Sequence, residues 1–335
     1  MNTTAFRAPV EHAIGARVGY DRVRSGSEEI GRIVVGVDGS DGGAAALRWA
    51  AREADARTSS LTAVLAWDFL DQHHVIAEAP FDPAYNAVDA ASALRSIVVG
   101  VVGAARAATI EQKAIRNQPA EALLEQSEGA DLLVVGARGM GRFRTLLLGS
   151  VTHQCLHHAT CPVAAVRDRA DRPTDGIGRI IVGTDGSESA QRASSGHWMR
   201  RVYTRRRWSA STRGAGSPYA GSLGVSSLVE RAARSTLDEA VESADTDGLR
   251  APVIRTLTFG SAAERILNAA NDADLLVVES RGLGGFKGLL LGSVSNQAVH
   301  HATCPVIVLP PAIDADGHDR SDHKTSPSSM ATACR

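Results

Sequence analysis

The chain has 335 residues, of which 44% are hydrophobic and 22% charged, with a formal net charge of −1; this is ordinary for an α/β protein and long enough for two domains. Near-neutral charge gives no electrostatic case for nucleic acid or an anionic membrane, and no apolar run approaches the roughly 18 to 20 residues that span a bilayer. Four cysteines are too few and too scattered for a disulfide framework.

Residues 1–30 are polar, without a sustained period or a long apolar core, and are expected to form a loose arm rather than a secretory signal, which makes a cytoplasmic protein the simplest expectation. The first domain is placed at 31–167. Ile33-Val34-Val35-Gly36-Val37 reads as a strand buried on both faces, ending in the turn series Asp38-Gly39-Ser40-Asp41-Gly42. Ala44 to Ala56 reads as a helix and Leu61 to Ala66 as the next strand. Residues 68–84 read as a loop, and Ala84 to Ala108 as a helix whose Ile97–Val102 patch could equally be a strand. Thr109 to Arg116 alternates as a strand, Pro119 suits a helical first turn, and Leu132 to Val135 is a fourth strand. A helix from Ser150 and a strand from Pro162 to Val166 close the unit. Strands alternating with helices imply a mostly parallel sheet covered on both faces.

Residues 168–178, charged and turn-rich, are the expected linker. The second domain, 179–310, opens on Arg179-Ile-Ile-Val-Gly-Thr-Asp185-Gly-Ser187, which repeats the first strand and turn. Residues 191–222 break the repeat: they carry no apolar run like Leu61–Ala66, and crowd Arg200, Arg201, Arg205, Arg206 and Arg207 with Trp198, Tyr203 and Trp208. This segment reads as a basic aromatic patch, as a decayed half-domain or as a local frameshift, and each leaves the second sheet a strand short. Leu228 to Ser243 then reads as a helix, Pro252 to Leu257 as a strand, and Ser261 to Ala270 as a helix capped by Ser261 with Glu264 three residues on. The tail, 311–335, has the composition of a disordered segment.

One stretch occurs twice. From Phe143 and from Phe286 onward, 15 of 24 positions are identical, which marks an internal duplication. In the first copy Gly136-x-x-Gly139 is followed by nine residues and Gly149-Ser150; in the second, Glu279 replaces the first glycine, and Gly282 is followed by nine residues and Gly292-Ser293. A strand, a glycine loop and a helix start form an anion cradle, because the unpaired N–H groups of the first turn point at whatever occupies the loop. At the carboxyl ends of parallel strands, Asp38 would face this loop across a crevice, ready to accept hydrogen bonds from a ribose or a base while the loop holds phosphates. A carboxylate at Glu279 facing a phosphate at about 4 Å would cost roughly 4 kcal/mol, which throws the second cradle into question. There is no Walker loop, no dinucleotide fingerprint and no Ser-His-Asp set. His157, His158 and Cys161 lack the further ligands of a zinc site, so no metal centre is expected.

Val37-Asp38-Gly39-Ser40, Asp131-Leu-Leu-Val-Val-Gly-Ala-Arg-Gly139, the spaced Gly-Ser, and His-His-Ala-Thr-Cys-Pro-Val together resemble the universal stress protein family in its tandem form. The resemblance implies two tandem doubly wound parallel five-stranded sheets, strand order 3-2-1-4-5, of the adenine nucleotide alpha hydrolase-like kind. It implies an ATP-binding regulator of stress or dormancy, with ATP carried as its Mg2+ complex. By matching positions, Asp38 would contact ribose or adenine, Leu61 would flank the base, and Val135, Gly136, Gly139, Gly149, Ser150 and Val151 would hold ribose and phosphates. In the second half Asp185, Gly282, Gly292, Ser293 and Val294 match. Family members associate through the last strand, so Val163–Val166 and Val306–Leu309 would pair within the chain or in a homodimer. A slow ATPase or nucleotidyl-transfer enzyme, with Arg138, Arg142 and Arg144 on the phosphates, and a non-binding dimerising scaffold remain alternatives.

Overall fold

The computed structural model describes residues 31–68, 84–139, 148–167, 179–184, 207–214, 223–243, 253–280 and 291–310. The expected arm, linker and tail, most of the 68–84 loop, Asp185, Gly282 and most of 191–222 lie outside these residues.

The first half runs β1 (Arg32–Gly36), α1 (Asp41–Arg57), β2 (Ser60–Trp67), α2 (Ala87–Val102), α3 (Ala104–Ala107), β3 (Glu111–Arg116), α4 (Pro119–Ser127), β4 (Leu132–Gly136), α5 (Ser150–His158) and β5 (Val163–Val166). The Ile97–Val102 patch is helical, within α2. The second runs β6 (Arg179–Thr184), β7 (Arg207–Gly214), α6 (Leu223–Ser243), β8 (Val253–Phe259), α7 (Ala262–Ala270), β9 (Leu275–Glu279), α8 (Ser293–His301) and β10 (Val306–Leu309).

The apolar run of β1 has the burial its composition demands. Ile33 and Val35 pack with Leu47 of α1 and Leu94 of α2, whereas Val34 packs on the opposite face with Leu123 of α4 and Leu156 of α5. Successive side chains alternate between faces, so a strand sandwiched between helix layers must be apolar at every position. β9, with Leu275 and Val277 on one face and Leu276 and Val278 on the other, obeys the same logic.

The strands form one sheet in the order β3-β2-β1-β4-β5-β10-β9-β6-β7-β8. Each half therefore has the order 3-2-1-4-5, and the halves meet last strand to last strand. β5 and β10 are antiparallel, with Val306 opposite Ala165, Ile307 opposite Ala164 and Val308 opposite Val163. All the other strand pairs described are parallel. The duplication holds down to single hydrogen bonds: Arg32 N donates to Asp131 Oδ2 at 2.6 Å, and Arg179 N donates to Asp274 Oδ2 at 2.6 Å.

Two expectations need correction. The second sheet is not a strand short, because β7 pairs in parallel with β6 (Ile180 with Trp208, Val182 with Ala210) and with β8 (Ser209 with Ile254). Its sequence, Arg-Trp-Ser-Ala-Ser-Thr-Arg-Gly, has no apolar run, but backbone pairing on both sides fixes a strand whatever its own hydrophobicity. Ser261 does occupy the N-cap of α7, yet its side chain makes no capping bond, so the capping box is not formed.

Candidate functional site

The order of each half reverses direction between its first and fourth strands, and a crevice opens there beyond the strand carboxyl ends. In the first half, the two segments leaving β1 and β4 are locked together. Asp38 Oδ1 accepts from Ser40 N at 3.0 Å and from Ser40 Oγ at 2.5 Å, and Ser40 Oγ accepts from Gly43 N at 3.0 Å, capping α1. Gly39, at φ +81°, makes the turn between them.

Glycine is required where the segments cross. A Cβ on Gly42 would lie 2.0 Å from the Arg138 carbonyl oxygen, and one on Gly136 would lie 2.6 Å from the Gly42 carbonyl carbon. A Cβ on Gly139 would sit 2.6 Å from Asp38 Oδ2. The expected juxtaposition of Asp38 and the glycine loop is therefore present, with the carboxylate lying directly against the loop backbone.

The third component is the start of α5. Gly149 is its N-cap; no side chain caps it and no acidic residue occupies its first turn. By contrast α1 has both a side-chain cap and Asp41. Among the described residues, the first-turn N–H groups of α5 and the positive end of its dipole are thus left for an anion. The start is anchored to the loop by Gly149 N donating to Ala137 O at 2.9 Å and by Thr152 Oγ1 donating to Gly136 O at 2.6 Å. A Cβ on Gly149 would come within 3.6 Å of Gly139 N. The result is an acceptor, Asp38, beside a set of donors at Gly139, Ser150 and Val151, the arrangement that suits a ligand with hydroxyl or amino groups at one end and negative charge at the other.

Asp38, Gly136, Gly139, Gly149, Ser150 and Val151 come together as expected, and Val135 lies beneath them with its side chain buried in the core. Leu61 does not. It is the second residue of β2, paired with Ile33 near the amino end of β1 and 3% exposed. At about 3.3 Å per residue, the five residues from Ile33 to Asp38 put it roughly 16 Å from the crevice. The neighbour of Asp38 is the carboxyl end of β2, Ala66 and Trp67, because Gly36 pairs with Val64 and Val37 N donates to Val64 O at 2.9 Å. Only the strand register reveals this; no motif in β2 marks it.

The second half rebuilds the same frame. Gly292 is the uncapped N-cap of α8, Gly292 N donates to Ser280 O at 2.6 Å, and Ser295 Oγ donates to Glu279 O. Gly292, Ser293 and Val294 are placed like Gly149, Ser150 and Val151. In the first half, a side chain at Gly136 would meet the start of α1, at Gly42, before it met a bound anion.

The described cysteines, Cys155, Cys161 and Cys304, are buried. Burial pushes the Cys155 and Cys304 thiols up to about 12, leaving almost no thiolate at neutral pH. Among the described residues, no group of three His, Cys, Asp or Glu side chains could hold a metal ion. Nor is any of the helices described there long and apolar enough to cross a membrane.

The universal stress protein family matches at residues 29–167 and again at 203–310. A universal stress protein of Mycolicibacterium smegmatis is 30% identical over 298 residues, covering 83% of this chain and 97% of that protein. One from Mycobacterium tuberculosis is 31% identical over 294 residues, covering 82% and 96%. Among solved structures, a universal stress protein from Archaeoglobus fulgidus aligns with a TM-score of 0.53 at 18% identity, over 83% of this chain and 98% of that one. A putative universal stress protein from Pseudomonas aeruginosa aligns with a TM-score of 0.56 at 17% identity, over 84% and 93%.

Proposed function

The chain belongs to the universal stress protein family and carries the family domain twice, and from that premise we propose that its first half binds ATP as a regulatory ligand. The observation that carries this reading is the contact of Asp38 with Gly139 beside the uncapped start of α5. In this assignment the Asp38 carboxylate accepts from the ribose or base, and the N–H groups of Ser150 and Val151 receive the phosphates. Mg2+ would be carried on the phosphates and would offset the charge they bring to the cradle.

No described side chain stands ready as a general base at the phosphate end, which favours a nucleotide-occupied regulator of stress or dormancy responses over an enzyme. We assign its place of action to the cytoplasm. The second half serves as the structural partner, with Glu279 disfavouring a second nucleotide.

Calorimetric titration of nucleotide-free protein with Mg-ATP tests this. One site per chain is expected, abolished by Gly136→Glu. A folded protein that takes up no ATP sinks the reading, and two sites per chain would show that Glu279 is tolerated.

A further inference from the structure

Among the described residues of the first half, three side-chain donors are buried without a partner, Trp67 Nε1, the Tyr85 hydroxyl and Arg106 Nε, and the first two lie together. Trp67, the last residue of β2, is 6% exposed and its indole Nε1–H meets no acceptor among the described residues. The hydroxyl of Tyr85, just ahead of α2, is also buried without a partner. The two rings meet edge to face, their centroids 5.7 Å apart and their planes at 71°. Arg116 places its guanidinium 5.7 Å from the Trp67 ring and 3.8 Å from Asp68. Burial, followed by the charge of Asp89, raises the Tyr85 hydroxyl above its ordinary value, so it remains a protonated donor at neutral pH.

Folded chains leave very few buried donors unpaired, because each forfeits its bond to water and gains nothing in return. Two in one aromatic pair, with no acceptor among the described residues, suit acceptors supplied by a ligand. Their position says which. With Gly36 in register with Val64, Trp67 falls level with the Asp38–Gly39 turn on the adjacent strand, about 5 Å away in the sheet direction. The cluster therefore flanks the Asp38 side of the crevice, across from the α5 end that suits phosphate.

We propose that Trp67 and Tyr85 read the base of the bound nucleotide, donating to acceptor atoms on its edge while Asp38 accepts from the ribose or an amino group. This assignment rests on the nucleotide site proposed above. It explains why β2 ends on an indole: Trp supplies a donor and no acceptor, and so selects the acceptor edge of a heterocycle.

The test is calorimetric titration of the full chain with ATP and, separately, with inorganic tripolyphosphate, for the natural protein, Trp67→Phe and Tyr85→Phe. Each variant is expected to lose about tenfold in ATP affinity, the scale of one hydrogen bond, with tripolyphosphate affinity unchanged. Nucleotide-free Tyr85→Phe should melt no lower than the natural protein, since no donor is then stranded. ATP binding at natural strength in both variants overturns the proposal. So does an equal loss for ATP and tripolyphosphate, which would make the rings a structural support. If the natural protein binds tripolyphosphate but not ATP, the base reading falls and the anion cradle stands. If it binds neither, the nucleotide site fails first and the base reading with it.

Discussion

Two glycines of the crevice differ in what a methyl group would strike, and this separates their roles. At Gly42 the obstacle is the Arg138 backbone carbonyl, 2.0 Å from the added carbon; at Gly139 it is Asp38 Oδ2, the movable end of a side chain, at 2.6 Å. Gly42→Ala must push two loops apart and is expected to destabilise the fold by about 2 to 3 kcal/mol, the range of overpacked sites. Gly139→Ala can be accommodated by rotating the carboxylate, so the fold should survive while ATP affinity falls about tenfold. Urea unfolding read beside calorimetry distinguishes the two; equal unfolding midpoints for both variants would contradict the assignment. At this scale the sequence was legible wherever chemistry constrained the backbone. Asp38, Gly136, Gly139 and Gly149 announce themselves by residue type and spacing. Leu61 was misplaced because nothing in β2 shows which end of the strand borders the crevice, and Trp67 escaped notice because an indole at a strand end looks like ordinary core.

Helix ends carry the next level of organisation. α5 and α8 leave their first turns uncapped toward the two crevices, and both end in a pair of histidines, His157–His158 and His300–His301. Burial is the main cause that lowers the His157 imidazolium below its ordinary range, helped by His153, whose ring stacks on it at 4.1 Å, and by His158. His300 is lowered by burial, then by His301, Arg167 and His153. Both rings are thus held neutral in the fold and protonate more readily in the unfolded chain. The unfolded state binds more protons, so stability is complete above the ordinary histidine value of about 6.5 and declines as pH falls through that value toward the lowered ones. A chemical-denaturation series from pH 7.5 to 5 should show this decline, and His157→Gln combined with His300→Gln should flatten it. An unchanged slope would assign the acid sensitivity to other groups. Among the elements, strands announced by apolar runs were readable, as were the helices. β7 was not, because its place is set by β6 and β8 on either side rather than by its own residues.

At the level of the whole molecule the ten strands depend on a short seam. Only three residue pairs join β5 to β10, yet Ala164 and Ile307 at its centre are fully buried. Arg167 reinforces it, reaching from the end of β5 to donate to the Val299 and His300 carbonyls at the end of α8, where a cation also suits the helix dipole. Cutting the chain in the linker would expose an apolar edge on each half, which strand physics disfavours. Residues 31–167 expressed alone should therefore self-associate through β5, giving twice the monomer mass by light scattering, and adding residues 179–335 should compete for that edge. A strictly monomeric first half would show the seam to be dispensable. The duplication made the two-domain plan plain in the sequence, whereas the pairing of β5 with β10 within the chain is visible only in the sheet order.

The antiparallel seam relates the halves as a two-fold axis relates the subunits of a symmetric dimer, but here both sides are encoded in one gene. In an assembly of identical subunits every inherited change appears on both sides of the axis at once, and any harm it does is doubled. In this chain a change enters one side only. Glu279 in place of Gly136, and Pro310 where the other half has Arg167, are alterations that a homodimer would have to carry on both sides of the axis or not at all.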